Sequence, residues 1–169
     1  ATKNIGVHQL LDFIAEYLPS PIEKGSFSVI NANGEKEQRE PSTTGPLTAY
    51  VFKTIADPYA GQLTIMRVLS GEVASDSTIY NATKKSKERV GQMLHLIGKK
   101  QEPAPKAITG DIIAVAKLKD THTGDSFSDE KNPVTVAAIP QPTPVISFAI
   151  KPKSKGDEDK IQSGLKRLM

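Results

Sequence analysis

Three stretches decide the fold: Asp57–Val73, DPYAGQLTIMRVLSGEV; Asn81–Ile97, NATKKSKERVGQMLHLI; and Ile108–Asp125, ITGDIIAVAKLKDTHTGD. Each is a short apolar run broken by turn residues, at Asp57-Pro58 with Gly61, at Ser70-Gly71, at Gly110-Asp111 and at Gly124-Asp125. Glycine reaches positive φ at no steric cost, and Asp and Pro bend or pre-set the backbone, so strands end there. Six strands are predicted: Leu47–Ile55, Gln62–Leu69, Thr78–Ala82, Glu88–Ile97, Asp111–Leu118 and Val134–Ile139. Short strands with few helical signals between them predict a mainly β fold, a six-stranded closed antiparallel β-barrel over residues 47–140 that leaves no bare sheet edge. Within Glu88–Ile97 the apolar alternation slips by a residue, which predicts a bulge near Gly91 or Gln92.

The flanks read differently. Val7, Leu10, Leu11, Ile14, Tyr17 and Leu18 recur at the spacing of one helical face, and Pro19 and Pro21 are expected to stop that helix. Residues 25–46 turn polar and read as a linker with a weak hairpin: Asn33-Gly34 is a turn signal between FSVI and EKEQR, but the second arm is densely charged. After the proline-rich IPQPTP, VISFAIK is predicted as a strand, and Ile161, Leu165 and Leu168 form a helical stripe. One strand and one helix cannot bury a core. Residues 1–24 and 141–169 are therefore expected to be pieces of neighbouring domains. Association through these ends would be an artefact of a monomeric protein.

In 169 residues with 37% hydrophobic content, no apolar run approaches the roughly 18 residues of a membrane helix. A cytoplasmic protein is expected, since no basic-then-apolar leader opens the chain. The absence of cysteine excludes disulfides and thiolate metal sites. Net charge is +3, but Lys84, Lys85, Lys87 and Arg89 crowd one junction between strands, where ammonium and guanidinium groups could follow a phosphate backbone; Arg67 is a weaker candidate. The alternative is a solvated surface. Asp120, His122 and Asp125 suggest an enzyme or metal site in an unrelated barrel, set against a turn whose side chains bond the local backbone. His8 and His95 have no partner at metal-ligand spacing, so neither catalytic nor metal residues are expected.

Taken together, LTAYVFKTIADPYAGQLTIMRVLSGEV, KERVGQML and TGDIIAVAKLKDTHTGD resemble the second domain of translation elongation factor G. ATKNIGVHQLLDFIAEYLPSP is similar to the end of that family's GTPase domain, and PVISFAIKPKSKGDEDKIQSGLKRL to the first strand and helix of its ferredoxin-like third domain. Gln62 and Leu69 depart from the family, which often has a basic and an aromatic residue there. The resemblance implies a GTPase that promotes ribosomal translocation of tRNA and mRNA, with a second domain that docks on small-subunit ribosomal RNA and contacts the GTPase domain. A ribosome-protection, release-factor or recycling paralogue is the alternative. It also implies that GTP or GDP and Mg2+ belong to the intact factor, with Ala1 at the edge of the loop touching the guanine base. This chain contains neither GxxxxGK[ST] nor NKxD, so no cofactor and no GTP hydrolysis are expected of it.

Overall fold

A computed structural model describes residues 2–57, 61–140 and 142–168, without the side chains of 166–168. Ala1 and Pro58–Ala60, where the sequence predicts a break, lie outside the described residues, as does the side chain of Leu168. The chain divides into two compact units, Ala1–Ala138 and Ile139–Met169. The first contains helices α1 (Val7–Tyr17) and α2 (Pro21–Lys24), the hairpin β1 (Phe27–Asn31) and β2 (Lys36–Arg39), and the long pair β3 (Thr48–Asp57) and β4 (Gly61–Ser70). There follow β5 (Glu72–Ala74), β6 (Thr78–Asn81), β7 (Ser86–Arg89), β8 (Met93–Ile97), β9 (Lys100–Ala104), β10 (Lys106–Ile108), β11 (Ile112–Ala116), β12 (Ser126–Ser128) and β13 (Val134–Val136). The second unit contains α3 (Glu158–Leu168).

The protein is mainly β, but it is not a closed six-stranded barrel. An eight-stranded sheet runs in the order β7-β6-β12-β3-β4-β11-β8-β9, beside a two-stranded sheet β10-β5 and a three-stranded sheet β13-β1-β2. The stretch expected to be one bulged strand, Glu88–Ile97, is instead two. Val90 donates its N–H to the Ser77 carbonyl (2.9 Å) and Gly91 accepts from the Asp76 N–H (3.3 Å), which takes the chain away from β6. It re-enters beside β11, with Leu94 opposite Ala114 and Met93 opposite Val115. A three-residue link thus joins one edge of the sheet to the region of its other edge. β7 and β9 stay unpaired with each other, and the seam between them is open.

The sheet nevertheless wraps one core. Val51, Met66, Val68, Val90, Met93, Val115 and Phe127 are fully buried in a single cluster drawn from most of its strands. A smaller cluster, Leu63, Ile65, Leu94 and Ala114, is covered by Phe52, Ile55, Leu96 and Ala116. Burial runs unbroken from Leu63 to Met66: Leu63 and Ile65 enter the smaller cluster and Met66 the larger, and Thr64 is buried as well.

Residues 25–46 are ordered by pairing. β1 pairs with β2 despite the charge of KEQR, and with β13 on its other side. The Asn31 side chain accepts the N–H groups of Asn33 and Glu35 (both 3.0 Å) and so shapes the hairpin loop. Further on, the Ser42 carbonyl accepts from the Gly71 N–H (2.6 Å), Thr109 Oγ1 (2.8 Å) and Ser70 Oγ (3.3 Å), pinning the segment across two turns of the domain.

α1 forms as its periodicity predicts, with none of its residues buried. Pro21 does not stop it but opens α2, where Ser20 caps the N-terminus in a capping box with Glu23. VISFAIK forms no strand; Val145, Ile146, Phe148 and Ile150 are exposed, and no described strand of that unit offers them a ladder. No described helix is long and apolar enough to cross a membrane.

Candidate nucleic-acid interface

The four expected cations lie on one hairpin. β6 and β7 pair antiparallel from Thr78 opposite Arg89 to Asn81 opposite Ser86. Residues 82–85 make the turn, with Lys85 at φ 56 in the left-handed region. Lys84 and Lys85 are exposed at the tip, and the period of two puts Lys87 and Arg89 on the exposed face of β7 while Glu88 points inward.

The tip is fixed from beneath by Asn81, which is fully buried. Its Oδ1 accepts the Lys84 N–H (3.0 Å), and its Nδ2 donates to Asp125 Oδ2 (3.0 Å) and Thr121 Oγ1 (3.3 Å). Glu88, 5% exposed, fastens the strand in the same way. Its carboxylate accepts from the N–H of Asp120 (2.8 Å), Thr121 Oγ1 (3.1 Å) and the N–H of Lys119 (3.2 Å). Buried polar groups must be matched, and here matching ties the hairpin to the 119–125 loop.

That loop is the one whose Asp120, His122 and Asp125 suggested an enzyme. Asp125 is buried, and its carboxylate is occupied by Asn81 and by the His122 N–H (3.0 Å). His122 Nδ1 lies 3.1 Å from the Asp120 carbonyl, a contact inside the turn. Of the three, Asp125 is tied to the hairpin by its side chain and Asp120 by its backbone N–H, while the His122 ring stays within the turn. Among the described residues no three His, Asp or Glu side chains gather as a metal site.

The cations are not equivalent. Lys87 Nζ sits 2.7 Å from Glu130 Oε2, with both side chains more than half exposed, so part of its charge is met internally, though such pairs are weak in water. Lys84, Lys85 and Arg89 make no ion pair among the described residues. Arg67 is exposed on β4, three strands from β6 in the sheet order, and does not belong to the hairpin. Two further exposed cations, Lys117 and Lys119, line a groove with Lys87 and Arg89. Sequence reading passed over them because nearly thirty residues separate them from the hairpin, although their spacing about the buried Leu118 was visible.

A mainly β domain of this size is the kind that translational GTPases carry as a second domain beside their catalytic one, and that second domain is not itself catalytic. The chain belongs to the elongation factor G domain 2 family, whose model matches residues 46–130, half of its length. It is also similar to the crystal structure of a protein from Thermus thermophilus, at 27% identity over 99% of this chain and with a TM-score of 0.71. The chain spans 23% of that protein's length.

Proposed function

We propose that this chain is the part of an elongation factor G-like GTPase that docks on small-subunit ribosomal RNA while the factor promotes movement of tRNA and mRNA. Membership of the domain 2 family supports the setting. The observation that carries the contact is the β6–β7 hairpin, whose tip holds Lys84 and Lys85 outward on a buried Asn81 bracket. Such cations position a phosphate backbone without reading its sequence.

In this reading residues 1–24 close the GTPase domain, 25–46 form a paired connector, 47–140 are the second domain and 141–169 open the third. The guanine nucleotide and Mg2+ are assigned to the GTPase domain of the whole factor, with Ala1 nearby. The factor acts in the cytoplasm as a monomer, and nucleotide state changes the angle between the GTPase domain and the anchored second domain. A ribosome-protection, release-factor or recycling paralogue would use the same anchor.

The test is ribosome binding of the whole factor across a salt series. Replacing Lys84, Lys85, Lys87 and Arg89 by alanine is expected to weaken binding and to flatten the log–log salt dependence by roughly 0.7–0.9 per lost contact. Lys87, already paired to Glu130, should contribute least. An unchanged slope would reduce the cluster to solvated surface.

A further inference from the structure

The open seam of the sheet is a groove of ≈ 790 Å³. One wall is β7, which contributes Lys87 and Arg89; the other is the chain leaving β11, which contributes Lys117 and Lys119. Arg89, Lys117 and Lys119 therefore line one cleft from both walls and make no ion pair among the described residues, while the Lys87 ammonium is turned to Glu130, outside the lining. Glu88 is the acidic side chain in the lining, and its carboxylate is held by the Lys119 and Asp120 N–H groups and Thr121 Oγ1. That bond set also fixes the second wall to the first. Lys117, just past the end of β11, is held at φ 62 in the left-handed region.

The floor differs from the walls. Leu94, Pro103 and Ala116 make it apolar, while the Gln92 amide can both donate and accept and Gln101, whose Nε2 donates to Asp57 Oδ2 (3.2 Å), keeps its amide oxygen as an acceptor. We propose that this groove binds a single-stranded segment of nucleic acid, with the lysines and arginine on backbone phosphates and one unpaired base laid on the floor. Charge on both walls favours a polyanion that enters the cleft, whereas a duplex offers its phosphates on a convex outside and reaches the rim alone. An apolar floor edged by side-chain amides fits a base plane with hydrogen-bonding edges, and with no aromatic residue in the lining its stacking is weak and sequence-tolerant. The inference rests on the RNA-docking reading and adds to it the strand state of the partner and two residues, Lys117 and Lys119.

The experiment uses the 169-residue chain and fluorescein-labelled single-stranded oligouridylate, read by anisotropy across a salt series. A blunt RNA duplex of equal length and poly-L-glutamate serve as the other arms. K117A/K119A should lower the salt slope for the single strand by roughly 1.4, at about 0.7 per lost contact, and K117R/K119R should restore it with the fold intact by circular dichroism. A slope unmoved in K117A/K119A, or duplex or poly-L-glutamate bound as tightly as the single strand, overturns the proposal. K84A/K85A separates the two readings. If it weakens ribosome binding of the whole factor while K117A/K119A leaves oligouridylate binding intact, the groove fails and the docking hairpin stands; the reverse pattern keeps the groove and removes the hairpin.

Discussion

At the scale of single residues, backbone geometry and buried bonding decide more than side-chain charge. Gly71 shows this most directly. It sits at φ 75, and a methyl group there would lie 2.8 Å from Leu47 Cα and N and 2.9 Å from the Gly45 carbonyl. All three are main-chain atoms, and the segment that carries them is pinned through Ser42. Gly71→Ala is expected to cost well over the roughly 1–2 kcal/mol of a left-handed residue alone, because backbone must also move. Gly98 is the control. It has φ 62 in the β8–β9 hairpin with nothing within 4 Å of an added Cβ, so Gly98→Ala should show that conformational cost and no more. Urea denaturation of both variants checks the difference, and equal losses would mean the Gly45–Leu47 crossing yields freely. The candidate site obeys the same logic: Asn81 and Glu88 carry no charge to a ligand, yet their bonds to residues 119–125 hold the basic residues in place.

Among elements, α2 is four residues long and depends on its cap. Ser20 Oγ accepts the Glu23 N–H (3.3 Å), and Glu23 Oε2 accepts the Ser20 N–H (2.8 Å). The bond from the Ser20 backbone, followed by that from its side chain, holds the Glu23 carboxyl below the usual glutamate range. A depressed carboxylate contributes stability above its unfolded pKa of about 4.3, and loses it as the pH falls through the lower folded value. Fraying of α2 is therefore expected in acid, and Ser20→Ala should move the Glu23 titration back toward the usual range in an NMR pH series. A titration unmoved by the substitution would show that the box does not form in solution. The strands tell how far sequence alone reaches. β3, β4, β6 and β11 were legible because apolar runs and turn residues coincide there. β9, KQEPA, was not: it is polar, contains a proline and is held as the outer arm of a hairpin with β8. β12 has three residues and is defined by neighbours on both sides, β3 and β6. VISFAIK has strand composition, but no described strand of its unit pairs with it, and composition alone does not report pairing. The hairpin cations were legible as a local cluster; the groove was not, because it exists only where the sheet fails to close.

For the whole first unit, topology predicts the order of assembly. β3 and β4 are consecutive and pair along nearly their full length, so their contacts close a short loop. The sheet β13-β1-β2 instead joins the two ends of the unit, with Val29 opposite Val136. Loop-closure entropy opposes that pairing until the intervening strands have collapsed, and a fold dominated by such distant pairs should refold in milliseconds to seconds. Val29 and Val68 are both essentially fully buried, so truncating either to alanine should cost up to about 1.5–3 kcal/mol. The losses should divide differently. Val68→Ala, in the local β3–β4 pair, is expected to slow refolding, whereas Val29→Ala should leave refolding nearly unchanged and accelerate unfolding. Stopped-flow chevrons of the two variants decide the matter: a Val29→Ala effect seated in the refolding arm would place the closure of the chain ends in the transition state, and the β3–β4 hairpin could no longer be the nucleus around which the sheet rolls.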